Sequence, residues 1–362
     1  IKIEVTFEKH LESKIVATLF KNHVYEEVAY EIYSLTNTHQ NIGLGMIGEL
    51  KESYSEIDFL QHVKEKMQCG GIRHSAFTHK KIKKVAILGY PIRHSLSPKI
   101  HNYWLKKNNI FGTYIPIETP LKKLKESIIR LCKQDYVGVN LTIPLKENAI
   151  NFLDKTDTTV DSTKAVNTLI FHDKKFVEGK NTDVLGFKTS LKESMKTTTK
   201  EKAIIIGNGG AARAILYSLI TLKYKQIVIC ARKRTKSEQL RKDMEKLQFK
   251  NSKTVIILKN IENIEEETEE TNLLVNTTPL GMKGFPDIFF SFDKLNKNAL
   301  VFDVVYNPLE TNLLKQTRKR GNKTINGLRM LLYQAQGGFK AWFHKKPKIT
   351  KELENFLKEE IK

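Results

Sequence analysis

Short apolar runs alternate with helical patterns along most of the chain, from about Lys83 onward. The runs cover residues 85–89, 203–207, 226–230, 273–275 and 300–305. Buried strands of parallel sheets that helices cover on both faces have this pattern. The chain is therefore predicted to have an α/β fold with parallel sheets.

A Lys- and Thr-rich segment, residues 194–201, interrupts this pattern and has the low apolar content typical of a linker. The whole chain has 362 residues, enough for two or three domains. We expect a small N-terminal α/β segment over residues 1–80, one α/β domain from residues 83–190 plus 326–362, and a second over residues 191–325.

Basic residues outnumber acidic ones by 61 to 40, a net charge of +21. The lysines are spread along the chain, so we expect solvated surfaces and no nucleic-acid partner. An anionic substrate and a phosphorylated cofactor would both be favoured by a positive field. No apolar run approaches the roughly 18 to 20 residues needed to span a bilayer, so no membrane partner is expected.

The three cysteines, Cys69, Cys132 and Cys230, are far apart and offer neither a metal-ligand spacing nor a disulfide framework. We therefore expect no metal site, and a reducing cytoplasm as the location. Since the chain begins with Ile1 rather than methionine, a preceding segment is left open.

A glycine-rich turn follows the apolar run that ends at Ile206 and precedes a helical pattern over residues 213–222. Its sequence, Gly207-Asn208-Gly209-Gly210-Ala211-Ala212, matches the turn that binds dinucleotides between a strand and a helix. Gly207 permits the tight turn, Gly209 lets the backbone approach a pyrophosphate, and the helix N-terminus offers free N–H groups to phosphates.

The next strand indicates which dinucleotide binds. NAD-binding proteins carry an acidic residue about 20 residues beyond the first glycine, where it contacts the ribose hydroxyls. Here residues 231–234 read Ala231-Arg232-Lys233-Arg234. Guanidinium groups bind a 2′-phosphate that an acid would repel, so NADP is predicted as the cofactor.

Polar clusters follow several of the other strands. Ser95 and Ser97 stand on a Pro-bounded turn, where they can donate to a carboxylate or cap the next helix. Asn140 and Thr142 share one face of an extended segment that delivers Lys146. The clusters Ala165-Val166-Asn167-Thr168 and Asn181-Thr182-Asp183 come later. Each cluster alone could be a structural turn.

In this order and spacing, the motifs from about Lys83 to the C-terminus resemble the shikimate dehydrogenase family. The resemblance extends to residues 276–281, 303–308 and 327–335. It implies a substrate-binding α/β domain, a Rossmann-type NADP-binding domain, and reversible NADPH-dependent reduction of 3-dehydroshikimate to shikimate in aromatic amino acid biosynthesis. It also implies a catalytic pair, Lys146 and Asp183, that handles the proton of the alcohol. A monomer or homodimer is expected.

The resemblance also implies the binding residues. The substrate would contact Ser95, Ser97, Asn140, Thr142, Asn167, Tyr306 and Gln334. The cofactor would contact Gly207, Asn208, Gly209, Gly210, Ala211, Ala231, Arg232, Lys233, Arg234, Thr277, Gly327 and Met330. Three positions depart from the family pattern, because Val184 and Lys164 replace glycines and Asn208 replaces an alanine.

Residues 1–80 lie outside this resemblance. Ser53-Tyr54-Ser55 followed by a helical pattern over residues 59–67 loosely resembles the C-terminal half of Maf-type nucleotide pyrophosphatases. A remnant of a dehydroquinate dehydratase, through residues 42–50, is a second interpretation. With the catalytic front half of the Maf family absent, we expect an inert appendage or a docking surface.

Two other functions stay open at this point. One is a quinate/shikimate dehydrogenase that uses NAD. The other is a non-catalytic binding protein of the same fold, which Lys146 and Asp183 argue against.

Overall fold

The computed structural model describes residues 12–22, 56–66, 82–92, 95–173, 175–194, 199–247, 253–288 and 290–361. The chain divides into two compact units, Ile1–Thr78 and His79–Lys362. In the first unit the described elements are helices α1 (Glu12–Asn22) and α2 (Glu56–Lys66). Helix α2 corresponds to the helical pattern predicted over residues 59–67. The Ser53-Tyr54-Ser55 turn and residues 42–50 lie outside the described residues.

The second unit contains two six-stranded sheets, of which the first has the order β2-β1-β3-β5-β6-β4. Its strands are β1 (Lys83–Gly89), β2 (Gly112–Glu118), β3 (Tyr136–Leu141), β4 (Lys155–Thr156), β5 (Thr168–His172) and β6 (Phe176–Lys180). The helices between these strands are α3 (Ser97–Lys107), α4 (Leu124–Lys133) and α5 (Thr158–Thr163).

This first sheet is mixed, whereas the hydrophobic pattern predicts parallel strands. Strand β1 pairs in parallel with β2 and β3, but β5 runs antiparallel to both β3 and β6. The connection from β5 to β6 is too short for a helical crossover, so these two strands form a hairpin. Short apolar runs do not carry strand direction, and the prediction of a parallel sheet was wrong here.

The second sheet is parallel throughout and has the order β12-β11-β10-β7-β8-β9. Its strands are β7 (Lys202–Ile206), β8 (Gln226–Cys230), β9 (Val255–Lys259), β10 (Leu273–Asn276), β11 (Leu300–Asp303) and β12 (Lys323–Ile325). The helices that follow α5 along the chain are α6 (Asp183–Ser194), α7 (Gly210–Thr221), α8 (Arg234–Glu245), α9 (Asn312–Lys319), α10 (Leu328–Phe343) and α11 (Lys351–Glu359).

The strand order of this second sheet is that of a doubly wound dinucleotide-binding fold. Starting at β7, the chain winds outward to β9, then returns to β10 on the other side of β7. Ligands bind such sheets in the crevice beyond the carboxyl ends of the two strands where the order reverses. Gly207 follows β7 and Thr277 follows β10, so both lie at this reversal.

Helix α10 connects the two sheets. Its side chains Leu332 and Phe339 pack in one core with Ile100 and Trp104 of α3. The indole of Trp342 donates a hydrogen bond of 2.8 Å to the carbonyl oxygen of Leu169 in β5. Helix α10 therefore returns the chain to the first sheet after the second sheet is complete.

Candidate functional site

The two residues predicted to act together, Lys146 and Asp183, form an ion pair. Lys146 Nζ lies 2.5 Å from Asp183 Oδ2, and their side chains are 17% and 6% exposed. Lys146 stands in the turn after β3, and Asp183 is the first residue of α6. Because so little of the pair is exposed, each charge depends on the other for stabilisation.

The other carboxylate oxygen of Asp183 is held by amides. Asn167 Nδ2 donates to Asp183 Oδ1 at 2.8 Å and lies 3.4 Å from Gln334 Oε1. Asn167 Oδ1 in turn accepts from the backbone N–H of Thr182 at 2.8 Å and from the hydroxyl of Thr168 at 2.9 Å. The carboxylate is therefore fixed in orientation on both sides.

Asn140 lies next to this amide cluster and is itself buried. Its Nδ2 donates to the carbonyl oxygen of Asn167 at 2.9 Å and to Thr168 Oγ1 at 3.0 Å. Its Oδ1 accepts from the Tyr114 hydroxyl at 2.7 Å. Thr142, two residues further on, packs on Gly89, where a Cβ atom would come within 2.3 Å of Thr142 Cγ2.

The turn with Ser95 and Ser97 lies at the start of α3. Ser97 is the first helical residue rather than the cap, and its backbone N–H donates to Ser95 Oγ at 3.3 Å. Helix capping by Ser97 was therefore the wrong alternative, although Pro98 does occupy the first turn. Ser97 is buried.

Tyr306, which follows β11, reaches the same turn from the second sheet. Its side chain packs against the hydrophobic cluster of α3 and α10 that contains Leu96. Burial raises the pKa of Tyr306. Since Leu96 stands between Ser95 and Ser97, the two sheets contribute side by side to one cleft.

The glycine turn has the geometry predicted for it. Gly207 has φ +108°, and a Cβ atom there would lie 2.7 Å from Thr277 Oγ1. Gly209 begins α7 without a side-chain cap, and a Cβ atom on it would meet no heavy atom within 4 Å. A Cβ atom on Gly210 would lie 3.1 Å from Lys146 Cβ. The open end of α7 therefore faces the cleft beside the Lys146–Asp183 pair.

The basic residues after β8 lie within reach of this turn. Arg232, Lys233 and Arg234 are exposed, whereas Ala231 is buried. Asn208 Nδ2 donates to the carbonyl oxygen of Lys233 at 2.9 Å and to Ser237 Oγ at 3.0 Å. The side chain that departs from the family's alanine thus joins the two loops. An open glycine turn, an uncapped helix end and exposed guanidinium groups fit a phosphorylated dinucleotide.

Gly327 and Met330 lie at the start of α10. A Cβ atom on Gly327 would come within 2.0 Å of the Val304 carbonyl oxygen, so only glycine fits this approach. Met330 is 7% exposed, and its carbonyl oxygen would lie 2.7 Å from a Cβ atom on Gly186 in α6. Both residues therefore stand where α6, α10 and the end of β11 meet.

Sequence reasoning missed several side chains of this site. Tyr114 reads as an ordinary strand residue, and no local signal shows that its hydroxyl reaches Asn140. Thr168 and Thr182 stand inside quoted motifs, but their hydrogen bonds to Asn167 are tertiary contacts. Glu147, next to Lys146, accepts from Lys236 at 2.9 Å.

Comparison with known proteins supplies the family. Residues 87–169 match the shikimate dehydrogenase substrate binding domain, and residues 189–279 match the shikimate/quinate 5-dehydrogenase family. A shikimate dehydrogenase (NADP(+)) of Pelagibacter ubique is 34% identical over 275 residues, which is 76% of this chain and 98% of that protein. The chain belongs to the shikimate dehydrogenase family.

Two further relatives agree with this family assignment. The shikimate dehydrogenase (NADP(+)) of Dinoroseobacter shibae is 37% identical over 278 residues, or 76% of this chain and 97% of that protein. The crystal structure of shikimate 5-dehydrogenase from Listeria monocytogenes, with shikimate and NAD, has a TM-score of 0.69 and 30% identity. That comparison covers 79% of this chain and 99% of the other. The predicted pairing of an α/β substrate-binding fold with a Rossmann-type fold is confirmed.

The N-terminal residues give a different result from the one expected. Residues 4–89 match the Duf34/NIF3 (NGG1p interacting factor 3) family, so the resemblance to Maf-type pyrophosphatases is not supported. A short turn followed by one helix occurs in many folds, so that pattern held too little information to choose a family.

No helix among the described residues is long and apolar enough to cross a membrane.

Two departures from the shikimate dehydrogenase pattern now have structural descriptions. Lys164 adopts φ 50° and ψ 40° at the end of α5, the left-handed conformation that glycine adopts most easily. Val184, after Asp183, is 5% exposed in the first turn of α6. Neither residue displaces the Lys146–Asp183 ion pair.

Proposed function

We propose that this chain is an NADP-dependent shikimate dehydrogenase that interconverts shikimate and 3-dehydroshikimate. The observation that carries the proposal is the 2.5 Å pair of Lys146 and Asp183, beside the open end of the glycine turn. The names of the relatives support the substrate and the cofactor. Aromatic amino acid biosynthesis is the setting in which this reaction is used.

The domains follow the two sheets. Residues 83–190 with 326–362 form the substrate-binding domain, and residues 191–325 form the NADP-binding domain. Support comes from the packing of α10 on α3 and of Trp342 on Leu169. Residues 1–80 form a separate N-terminal appendage, in keeping with their match to a different family.

The substrate carboxylate is held by the hydroxyls of Ser95 and Ser97 at the start of α3. The ring hydroxyls are held by Asn140, Thr142, Asn167 and Gln334, together with Asp183. Tyr306 borders the substrate from the second sheet, which is supported by its packing against the cluster that contains Leu96, the residue between the two serines. These contacts orient the reacting carbon toward the glycine turn, which is the main contribution of binding to rate.

The cofactor is held by three groups of residues. Gly207, Asn208, Gly209, Gly210 and Ala211 surround the pyrophosphate. Ala231, Arg232, Lys233 and Arg234 surround the adenosine 2′-phosphate, to which guanidinium groups donate paired hydrogen bonds. Thr277, Gly327 and Met330 would border the nicotinamide.

The hydride chemistry is supplied by NADP when it is bound. Lys146 handles the accompanying proton, which it donates to the ketone oxygen during reduction and accepts from the alcohol during oxidation. Its ammonium group also stabilises negative charge that develops on this oxygen. Asp183 holds the lysine through Oδ2, while Asn167 prevents the carboxylate from rotating.

The test is an initial-rate assay that follows reduced nicotinamide with shikimate or quinate and with NADP or NAD. We expect the highest kcat/KM with shikimate and NADP. Faster turnover of quinate with NAD would support the alternative function, a quinate/shikimate dehydrogenase that uses NAD, which is compatible with the shikimate/quinate family description. Turnover with none of the four combinations would favour a non-catalytic binding protein and would overturn the proposal.

A further inference from the structure

The hydroxyl of Tyr114 contacts Asn140, a side chain that was expected to bind the ring hydroxyls of the substrate. It donates to Asn140 Oδ1 at 2.7 Å. Tyr114 is 1% exposed and belongs to β2, a strand that supplies none of the expected binding residues.

The direction of this hydrogen bond follows from Asn140. Its amide lies against the carbonyl oxygen of Asn167, which can only accept, so Nδ2 must face it and Oδ1 must face Tyr114. The Tyr114 hydroxyl has one proton, and it is donated to Asn140.

The same reasoning continues toward the catalytic pair. Both protons of Asn140 Nδ2 are engaged, one by the Asn167 carbonyl oxygen and one by Thr168 Oγ1 at 3.0 Å. The Thr168 hydroxyl donates to Asn167 Oδ1, and Asn167 Nδ2 donates to Asp183. Since Asn140 has no amide proton left, it can meet a ring hydroxyl only as an acceptor, through the remaining lone pair of Oδ1.

Tyr114 is itself held in place from three sides. Asn102 of α3 exchanges two hydrogen bonds of 2.9 Å with its backbone, one to the carbonyl oxygen and one from the N–H group. Its ring stacks on His101, with centroids 4.3 Å apart and planes 3° from parallel. A hydroxyl fixed this firmly can orient its neighbours.

We propose that Tyr114 is a positioning residue of the substrate site, which sets the orientation of Asn140 without touching the substrate. The inference rests on the proposed function. The Tyr114 hydroxyl holds Asn140 Oδ1 in place, so that Asn140 meets the substrate as a hydrogen-bond acceptor. Substrates that lack a ring hydroxyl donor therefore gain nothing from Tyr114.

The test is the Tyr114→Phe variant, which removes the hydroxyl and keeps the ring stack. Loss of a buried hydrogen-bond partner typically costs 1 to 3 kcal/mol, so we expect KM for shikimate to rise about 10-fold or more. KM for NADP and kcat should stay within about 3-fold of native, because the glycine turn and the Lys146–Asp183 pair are untouched. The matched control is Tyr224→Phe, which removes a hydroxyl from an equally buried tyrosine in the core of the second sheet.

Two further measurements separate positioning from a purely structural role. The first is a thermal-shift titration, which gives the shikimate concentration at which the rise in Tm is half of its maximum. This concentration should increase for Tyr114→Phe and not for Tyr224→Phe. The second is a double-mutant cycle with Asn140→Ala, in which the combined rise in KM should be smaller than the product of the single rises. If Tyr114→Phe does not fold, Asn102→Ala tests the same arrangement by releasing the Tyr114 backbone.

The outcomes are distinguishable. The inference would be overturned, and the proposed function left standing, if a folded Tyr114→Phe variant kept the native KM and the native half-maximal shikimate concentration. The same holds for Asn102→Ala if that is the variant used. A native chain that neither oxidises shikimate with NADP nor gains Tm from shikimate would overturn both.

Discussion

Glu147 and Lys236 form an ion pair of 2.9 Å that joins the turn carrying Lys146 to helix α8 of the second sheet. Glu147 also lies 3.5 Å from Nε of Arg213 in α7, whose guanidinium group contacts Asp243 at 2.7 Å. The carboxylate of Glu147, next to Lys146 in the chain, therefore contacts both helices that follow the glycine turn and the basic loop. These ion pairs hold the two walls of the cleft together.

Removing the charge of Glu147 should weaken this connection. For Glu147→Gln we expect the free energy of unfolding to fall by about 1 kcal/mol, since the pair is partly buried and Arg213 keeps Asp243 as a partner. Thermal unfolding measures the change. The control is Glu238→Gln, which breaks the more exposed pair with Arg234 and should cost less than about 0.5 kcal/mol. Equal losses in the two variants would contradict the prediction.

The Lys146–Asp183 pair should control turnover. For Lys146→Ala we expect kcat to fall by about 100-fold or more, because acid–base catalysis is lost. Asp183→Asn, which keeps the shape but releases the ammonium group, should also lower kcat. Lys133→Ala, at an exposed lysine of α4, is the control. Near-native kcat for Lys146→Ala would show that the proton is handled elsewhere.

Much of the second sheet could be predicted from sequence because its signals are local. The apolar run 226–230 has the same bounds as strand β8, and the glycine turn begins directly after β7. The run 300–305 is shorter in the structure, because Asp303 accepts from the backbone N–H of Val305 and ends the strand. An acidic residue at that point gave no warning, since its partners lie in other segments.

The candidate site was harder to predict, for the same reason. Lys146 and Asp183 were paired only through the family resemblance, and nothing in their spacing brings them within 2.5 Å. The polarity of Asn140 depends on Tyr114 in β2 and on Asn167 and Thr168 at the start of β5. Hydrogen-bond direction across a sheet is a property of the folded chain and has no pattern in the sequence.

Cofactor selectivity should depend on Arg232. For Arg232→Ala we expect KM for NADP to rise by about 10-fold or more, because charge-assisted hydrogen bonds to the 2′-phosphate are lost. KM for NAD, which lacks that phosphate, should change by less than about 2-fold. Arg241→Ala, in the same helix region but paired with Glu245, is the control. Parallel increases for both cofactors would place the phosphate elsewhere.

His101 should make the protein sensitive to acid. Burial lowers its pKa from 6.5 to about 3, and neither ring nitrogen has a hydrogen-bond partner among the described residues. The folded state therefore favours neutral histidine, while the unfolded chain binds a proton near pH 6.5. Above about pH 6.5, His101 is neutral in both states and does not lower the free energy of unfolding. As the pH falls from 6.5 toward 3, proton binding to the unfolded chain progressively lowers this free energy.

The His101→Phe variant tests this assignment, because phenylalanine preserves an aromatic ring on Tyr114 and cannot bind a proton. We expect the Tm of the native protein to fall more steeply than that of the variant between pH 6.5 and about 4. Exposed His172, which lies 3.1 Å from Glu178, provides the control variant His172→Phe. Parallel pH profiles for native protein and His101→Phe would contradict the prediction.

Lys164 should cost stability at the end of α5. A residue with a Cβ atom in the left-handed conformation is disfavoured by roughly 1 to 2 kcal/mol, and its backbone N–H still donates to Val160 at 2.8 Å. Lys164→Gly keeps that hydrogen bond and relieves the strain, so we expect the free energy of unfolding to rise by up to about 1 kcal/mol. Lys242→Gly, at an exposed position inside α8, should lower it by about 1 kcal/mol. The two variants make the same chemical change, so opposite shifts in Tm would assign the effect to backbone conformation. A lower Tm for both variants would contradict the prediction for Lys164.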